Sequence, residues 1–207
     1  MALLADGPVV FVATAGFEVV RVDATKKALF GKAFAGHSGP VTSIALLRDD
    51  LLLTGSWDKR VGVWNKAASK LDRFLEGHAD FVKTVATHAG RVLSGSSDTT
   101  IRVWNAETGE CLAVLKGHRR GVEQLLVVDD RLYSGASDGS ILEWDLNDLK
   151  AEPLRSFSFH QTSVYSMVLS EDGGSILSAS ADRSVRSISL LVRFFFASVG
   201  VHLLTRF

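Results

Sequence analysis

The feature that most constrains this sequence is a set of four residues that recurs about every forty positions. Each set, here called a tetrad, runs His, then Ser or Thr, then Asp, then Trp. The tetrads are His37, Thr54, Asp58 and Trp64; His78, Ser94, Asp98 and Trp104; His118, Ser134, Asp138 and Trp144; and His160, Ser178 and Asp182, with Ile188 at the Trp position. Each Ser or Thr lies four residues before its Asp, and each Trp lies six residues after it. A repeat of this length indicates stacked supersecondary units.

Short runs rich in β-branched and aromatic residues lie at matching places in every unit. Three runs follow each His, a fourth precedes the next His, and Gly, Asp and Ser separate them. In the first repeat these runs are 41–46, 51–56, 60–64 and 70–77. Such runs predict β-strands, and four strands in about forty residues are typical of one blade of a β-propeller. The sequence therefore predicts an all-β protein built from four-stranded blades.

Dipeptides within the repeats carry a resemblance to a known family. They are Gly36-His37, Gly77-His78 and Gly117-His118, with Trp64-Asn65, Trp104-Asn105 and Trp144-Asp145. On these pairs and their fixed spacing, the chain resembles the WD-repeat family. The resemblance is strong over 36–189 and weak over 9–35. It implies a WD-repeat β-propeller of four-stranded antiparallel blades, with four repeats plus one partial blade.

The resemblance divides the chain into three parts. Residues 9–35 look like the last three strands of a degenerate blade, without its innermost strand, its Asp or its Trp. Residues 36–189 hold four WD-type repeats of one propeller domain. Residues 190–207 form a divergent tail, which we interpret as an outer strand or as a truncated or mispredicted end. Because the family usually closes a ring of about seven blades, we expect an incomplete propeller or one of low blade number.

The resemblance also implies a role for the tetrad, which in the family forms a structural hydrogen-bonded network inside each blade. The residue types suit this role. An indole N–H can only donate, whereas hydroxyl and imidazole groups both donate and accept. An Asp in a tight turn can accept backbone N–H groups. Since Ile188 removes the indole donor from the fourth repeat, we expect that repeat to be the least stable.

The composition limits the partners and the compartment. Lys plus Arg and Asp plus Glu both number 23, so the formal net charge is zero, and nothing global attracts nucleic acid or an anionic membrane. Cys111 is the only cysteine and cannot form an internal disulfide, which fits the cytoplasm or the nucleus. The first residues lack the basic start of a signal peptide. We therefore expect a protein that is not secreted.

The tetrads superficially match a hydrolytic Ser–His–Asp triad. An enzyme needs one such site, whereas the set recurs in every repeat, so we predict no catalytic residue and a protein that is not an enzyme. The four tetrad histidines belong to different blades and have no Cys partner, which argues against a metal site. No cofactor is expected.

The candidates for binding a partner are residues outside the tetrad. In propellers of this family, the loops before the first strand and between the second and third strands gather on the top face. The candidate contact residues there are Trp57, Phe81, Lys83, Arg119, Arg120 and Tyr165. Trp, Tyr and Arg are enriched at binding hot spots. We expect a scaffold for protein–protein interactions, as a subunit or fragment of a multiprotein complex.

Two alternative functions stay open. A substrate-recognition propeller, such as a ubiquitin-ligase-type adaptor, would bind acidic or modified peptides through Lys83, Arg119 and Arg120. A phosphoinositide-binding propeller is suggested by the segment HRRG at 118–121, although its His holds a tetrad position. In all three interpretations, we expect neither nucleic acid nor a small-molecule substrate. For the scaffold, we expect protein partners and no membrane.

Overall fold

A computed structural model describes residues 2–150 and 152–190. These residues form β-strands joined by turns and contain no helix, so none of their segments is a helix able to cross a membrane. The prediction of an all-β protein is confirmed. Successive side chains of a strand point to opposite faces of its sheet, and the middle strands of blades II to IV are buried on both faces.

The strands form five antiparallel sheets, here called blades I to V, and blades II to V correspond to the four repeats. Blade I has β1 Leu3–Asp6, β2 Val9–Ala13, β3 Val19–Asp23 and β4 Ala28–Phe34; blade II has β5 Val41–Leu47, β6 Leu51–Ser56, β7 Val61–Asn65 and β8 Lys70–Leu75; blade III has β9 Val82–His88, β10 Arg91–Ser96, β11 Thr100–Asn105 and β12 Cys111–Lys116; blade IV has β13 Val122–Val128, β14 Arg131–Ala136, β15 Ile141–Asp145 and β16 Arg155–Phe157; blade V has β17 Val164–Leu169, β18 Ser175–Ser180 and β19 Val185–Ser189. Within each blade, consecutive strands pair in chain order.

The two terminal blades differ from the sequence prediction. Blade I has four strands rather than three, because β1 pairs with β2 from Leu3 opposite Val12 to Asp6 opposite Val9. A tight turn at Gly7, with a φ of 58°, joins the two strands. The sequence analysis missed β1 because it is short and no tetrad marks it. Blade V has three strands within the described residues. The described residues end at Leu190, so the rest of the tail predicted over 190–207 lies outside them.

Each blade has a forward face toward the next blade and a backward face toward the previous one. Residues directly opposite on neighbouring strands share a face. On the forward face of blade II, Leu53 and Val63 lie opposite each other, in one buried cluster with Val82, Val92 and Trp104 of blade III. The other three seams between blades repeat this arrangement. The Trp side chains of the tetrads therefore lie on backward faces, buried between two blades.

Three glycines allow the blades to approach closely. A Cβ atom built on Gly55, Gly95 or Gly135 would lie 2.9, 2.7 or 2.8 Å from a valine methyl of the next blade. The three valines are Val82, Val122 and Val164, the first residues of the inner strands of blades III, IV and V. These glycines are therefore required by the space in the seam rather than by a turn.

Candidate interaction surface and tetrad network

The tetrad of blade II forms a continuous hydrogen-bonded chain. The Trp64 indole nitrogen lies 2.8 Å from the Thr54 hydroxyl, which lies 2.6 Å from His37 Nε2. His37 Nδ1 lies 2.7 Å from Asp58 Oδ2. Because the indole can only donate, the hydroxyl accepts it and donates to Nε2. His37 then accepts at Nε2 and donates its Nδ1–H to the Asp58 carboxylate.

Blade III repeats this geometry, and blade IV changes one link. In blade III the corresponding distances are 2.8 Å from Trp104 to Ser94, 2.8 Å from Ser94 to His78 and 2.7 Å from His78 to Asp98. In blade IV, His118 Nδ1 instead donates to the Ser140 hydroxyl at 2.9 Å. Ser140 in turn donates to Asp138 Oδ1 at 2.6 Å. The direction of hydrogen-bond donation is the same as in blades II and III, and the Ser140 hydroxyl lies between His118 and Asp138.

Blade V keeps three members of the tetrad. His160 contacts Ser178 at 2.9 Å and Asp182 at 3.0 Å. Ile188 is buried at the Trp position and packs on blade IV. The Ser178 hydroxyl has no indole donor and instead has a long 3.4 Å contact to the Arg186 carbonyl oxygen. The apolar packing of the seam is thus kept while one donor is lost.

The Asp of each tetrad also holds the turn that follows the second strand. In blade II, Asp58 accepts the backbone N–H groups of Ser38 and Arg60, both at 3.1 Å. The sequence analysis missed a further member at the second position after the Asp. There the hydroxyl groups of Thr100, Ser140 and Ser184 each donate to the carboxylate at 2.6 Å. The signal was present, since a hydroxyl stands at this position in three of the four repeats.

Burial and hydrogen bonding set the protonation of the network. Burial lowers the pKa of His118 to about 4 and also lowers the pKa of His78. Burial acts to raise the pKa of Asp98, but hydrogen bonds from Thr100 and His78 outweigh it and lower that pKa to about 2. In blades III and IV the network is therefore held as neutral imidazole beside ionised carboxylate at neutral pH.

This arrangement suits a structural role better than catalysis. Thr54, Ser94, Ser134 and Ser178 are fully buried. Each hydroxyl is hydrogen-bonded to the Nε2 atom of its tetrad histidine, and this contact recurs in all four repeats. A nucleophile needs access to its substrate, which these hydroxyl groups lack. Among the described residues, no group of three His, Cys, Asp or Glu side chains could hold a metal ion.

The candidate contact residues lie at the end of the blades where two kinds of loop meet. The loop between the second and third strands and the link before the first strand share this end, because the strands run antiparallel. The Trp57 N–H donates to the Pro40 carbonyl at 3.0 Å, and the Ser97 N–H donates to the Phe81 carbonyl at 2.9 Å. This end of the molecule is here called the top face.

An aromatic pair stands on the top face at the seam between blades II and III. The rings of Trp57 and Phe81 are stacked, with centroids 4.9 Å apart and planes at 11°. Trp57 remains 44% exposed. The sequence pointed to both residues but not to their contact, which joins neighbouring blades. The stacked pair is here called the aromatic platform, and its exposed member is Trp57, because Phe81 is half-buried.

The three basic residues among the candidate contacts differ in their charged neighbours. Lys83 Nζ lies 3.3 Å from Glu123 Oε2 of blade IV, and Glu123 also accepts the Ser137 hydroxyl at 2.6 Å. The side chains of Arg119 and Arg120 are exposed, while the Arg119 backbone N–H donates to Asp138. Lys83 is therefore partly neutralised, whereas no ion pair is formed by Arg119 or Arg120 within the described residues.

Tyr165 is not part of the aromatic platform. It holds the same strand position in blade V as Thr42 in blade II and Lys83 in blade III, where the side chain reaches toward the next blade. Tyr165 is exposed on the forward side of blade V. The structure thus places Tyr165 two blades further along the series than Phe81 and three blades further than Trp57.

A buried charged group that the sequence analysis missed lies in blade IV. Glu143 is buried on the forward face and accepts the Arg155 Nε–H at 2.6 Å. This hydrogen bond raises the pKa of Arg155. The sequence indicates this buried charge by a Glu at a position where the two preceding blades have Val63 and Val103.

Four segments match the family model described as WD domain, G-beta repeat: 30–65, 69–105, 109–145 and 151–188. The chain belongs to the WD-repeat family. No curated protein matches the chain. Among solved structures, it is similar to the computationally designed Ika8 protein, with a TM-score of 0.73 and 23% identity over 92% of this chain and 70% of that chain. That likeness shows the fold alone. WD-repeat proteins are typically interaction scaffolds without catalytic activity.

Proposed function

We propose that this WD-repeat protein is a non-catalytic scaffold that binds a protein partner through its top face. The observation that carries the proposal is the exposed stack of Trp57 on Phe81. A large aromatic side chain held flat by a neighbour loses little conformational entropy when it is covered, and this favours tight binding. Trp is also the residue type most typical of binding hot spots.

The charges around the platform favour a partner that contributes apolar or aromatic side chains. Lys83 is paired with Glu123, so it offers little free charge to an acidic ligand. The platform itself is uncharged. We therefore propose a peptide segment or loop with an apolar anchor residue as the contacting element.

The test is a selection of peptide ligands from a displayed random library against the immobilised full chain. Selected peptides are then measured by titration calorimetry with the wild type and with Trp57→Ala. We expect Trp57→Ala to weaken binding by about 30-fold, the effect of losing a hot spot worth about 2 kcal/mol. Leu112→Ala is the matched control, because Leu112 is a similarly exposed apolar residue on the outer strand of blade III. Peptides that bind both variants as tightly as the wild type would contradict the proposal.

A second candidate is supported by the exposed side chains of Arg119 and Arg120. These two arginines would recognise an acidic or phosphorylated peptide, as in a substrate-recognition subunit. The double change Arg119→Ala and Arg120→Ala should then abolish phosphopeptide binding and leave binding of an apolar peptide unchanged. The reverse pattern supports the aromatic platform alone. The phosphoinositide alternative rests on the same two arginines, and vesicles containing phosphoinositide would replace the phosphopeptide in that assay.

The compartment is part of the same proposal. A single thiol, half-buried at Cys111, suits a reducing environment, so we propose the cytoplasm or the nucleus. Fractionation of cells that express the tagged full chain tests this placement.

A further inference from the structure

The forward face of blade V is apolar and open to solvent. Its two most apolar rows of opposite residues are Val168, Leu177 and Ser187, and Ser166, Ala179 and Val185, and a further row pairs Ser175 with Ser189. Leu177 is 39% exposed and Val185 is 69% exposed. The residues at the Leu177 position in blades II and III, Leu53 and Leu93, are both 0% exposed, because the next blade covers them. Among the described residues, no blade covers this surface of blade V.

The backward face of blade I is also apolar and open. Its rows are Leu3, Val12 and Val20, and Ala5, Val10, Val22 and Leu29. Leu3 and Leu29 are 62% and 69% exposed. Val12 and Val22 hold the positions that Thr54 and Trp64 hold in blade II, as their strand pairing shows. Blade I has therefore replaced the hydrogen-bonded tetrad by an aliphatic surface.

The two open faces are the two halves of one seam. At each of the four seams within the chain, a forward face packs on a backward face. Among the described residues, blades I and V share no extensive contact. Neither pair of rows contains a charged residue, so bringing these faces together removes no charge from water. The chemistry that fits the forward face of blade V is the backward face of a blade, and this chain displays one.

We propose that the forward face of blade V in one copy of this chain binds the backward face of blade I in a second copy. The contact is heterologous, since it joins two different surfaces, and it continues the series of blades across the molecular boundary. Apolar strands that are left open are prone to such association.

The test is sedimentation velocity of the full 207-residue chain over a wide range of concentrations. We expect the wild type to associate as its concentration rises. Val185→Asp, on the forward face, and Leu3→Asp, on the backward face, should each stay monomeric. Both positions are exposed, so these changes leave the fold intact, which tryptophan fluorescence verifies. Leu112→Asp, on an exposed site away from both faces, is the matched control and should associate like the wild type.

An equal mixture of the two variants gives the decisive result. The Val185→Asp chain keeps its backward face and the Leu3→Asp chain keeps its forward face, so the mixture should form a one-to-one complex. Val168→Asp should behave like Val185→Asp, which guards against an effect peculiar to one substitution. The proposal is overturned by a wild type that is monomeric throughout, by association of either variant alone, or by a mixture that stays monomeric.

Discussion

At the scale of the residue, the tetrad hydroxyl group has different duties in different blades. The Ser94 oxygen accepts the Trp104 indole N–H at 2.8 Å and contacts His78 at 2.8 Å. The Ser178 oxygen contacts His160 at 2.9 Å but meets only a carbonyl at 3.4 Å on its other side. Because a buried polar group without a partner is costly, the same substitution should have unequal effects in the two blades.

Ser94→Ala should cost about 2–4 kcal/mol of unfolding free energy, since it leaves both an indole N–H and an imidazole nitrogen unpaired. Ser178→Ala should cost about 1–2 kcal/mol, since it leaves only the imidazole. Urea unfolding of the two variants measures these losses, provided that the dependence on urea stays the same. Equal losses would show that the tetrad of blade III is not held as its geometry indicates.

The buried histidine of blade IV should make the fold sensitive to mild acid. Burial lowers the pKa of His118 to about 4, whereas in the unfolded chain His titrates near 6.5. The unfolded state therefore takes up the proton first as the pH falls. The free energy of unfolding is therefore unaffected by this histidine above about pH 6.5, and it falls by about 3 kcal/mol as the pH is lowered to about 4. Urea midpoints at several pH values test this. His118→Gln should reduce the dependence of the urea midpoint on pH between about pH 6.5 and pH 4, and the contribution of His78, whose pKa burial also lowers, should remain.

At the scale of the element, the seams depend on residues that have no side chain. A Cβ on Gly95 would lie 2.7 Å from Val122 and 2.8 Å from Thr84. The closely packed seam has no space for that atom, so the inner strand of blade IV would have to shift.

Gly95→Ala should therefore destabilise the fold by about 1–3 kcal/mol, the usual cost of overpacking. Gly16→Ala is the control, because its nearest contact is an ordinary 3.6 Å. A double-mutant cycle with Val122→Ala identifies the cause. Removing the valine methyl groups should relieve part of the strain, so the two losses should sum to more than the loss of the double variant. Strictly additive losses would place the cost of Gly95→Ala outside the seam.

At the scale of the whole molecule, extensive packing among the described residues links consecutive blades only. Stability in such a series is close to a sum of blade and neighbour contributions. Blades II, III and IV have a neighbour on both sides, whereas blades I and V each have one within the described residues.

Amide hydrogen exchange should therefore be slowest in the strands of blade III and fastest in β4 and β19 at low protein concentration. If two copies associate as proposed, raising the concentration should slow exchange in blades I and V and leave blade III unchanged. Mass spectrometry of peptides from each blade resolves this pattern. Uniform protection along the chain would contradict the neighbour-by-neighbour account.

The sequence by itself showed the repeat and predicted four repeats within 36–189 and the residues of the tetrad. It could do so because strand alternation, turn residues and tetrad spacing are local properties that survive in the linear order. The loss of a donor at Ile188 was visible for the same reason. The WD-repeat fold predicted from these features is confirmed by the family match and by the sheets.

Only the tertiary structure decided what happens between blades. The stack of Trp57 on Phe81, the pairing of Lys83 with Glu123 and the isolation of Tyr165 all depend on which blade stands next. The fourth strand of blade I became visible only through its pairing, since a short run without a tetrad has no local mark. The physical reason is that seam contacts join residues about forty positions apart, and their energy comes from burial by a neighbour that the local pattern does not specify.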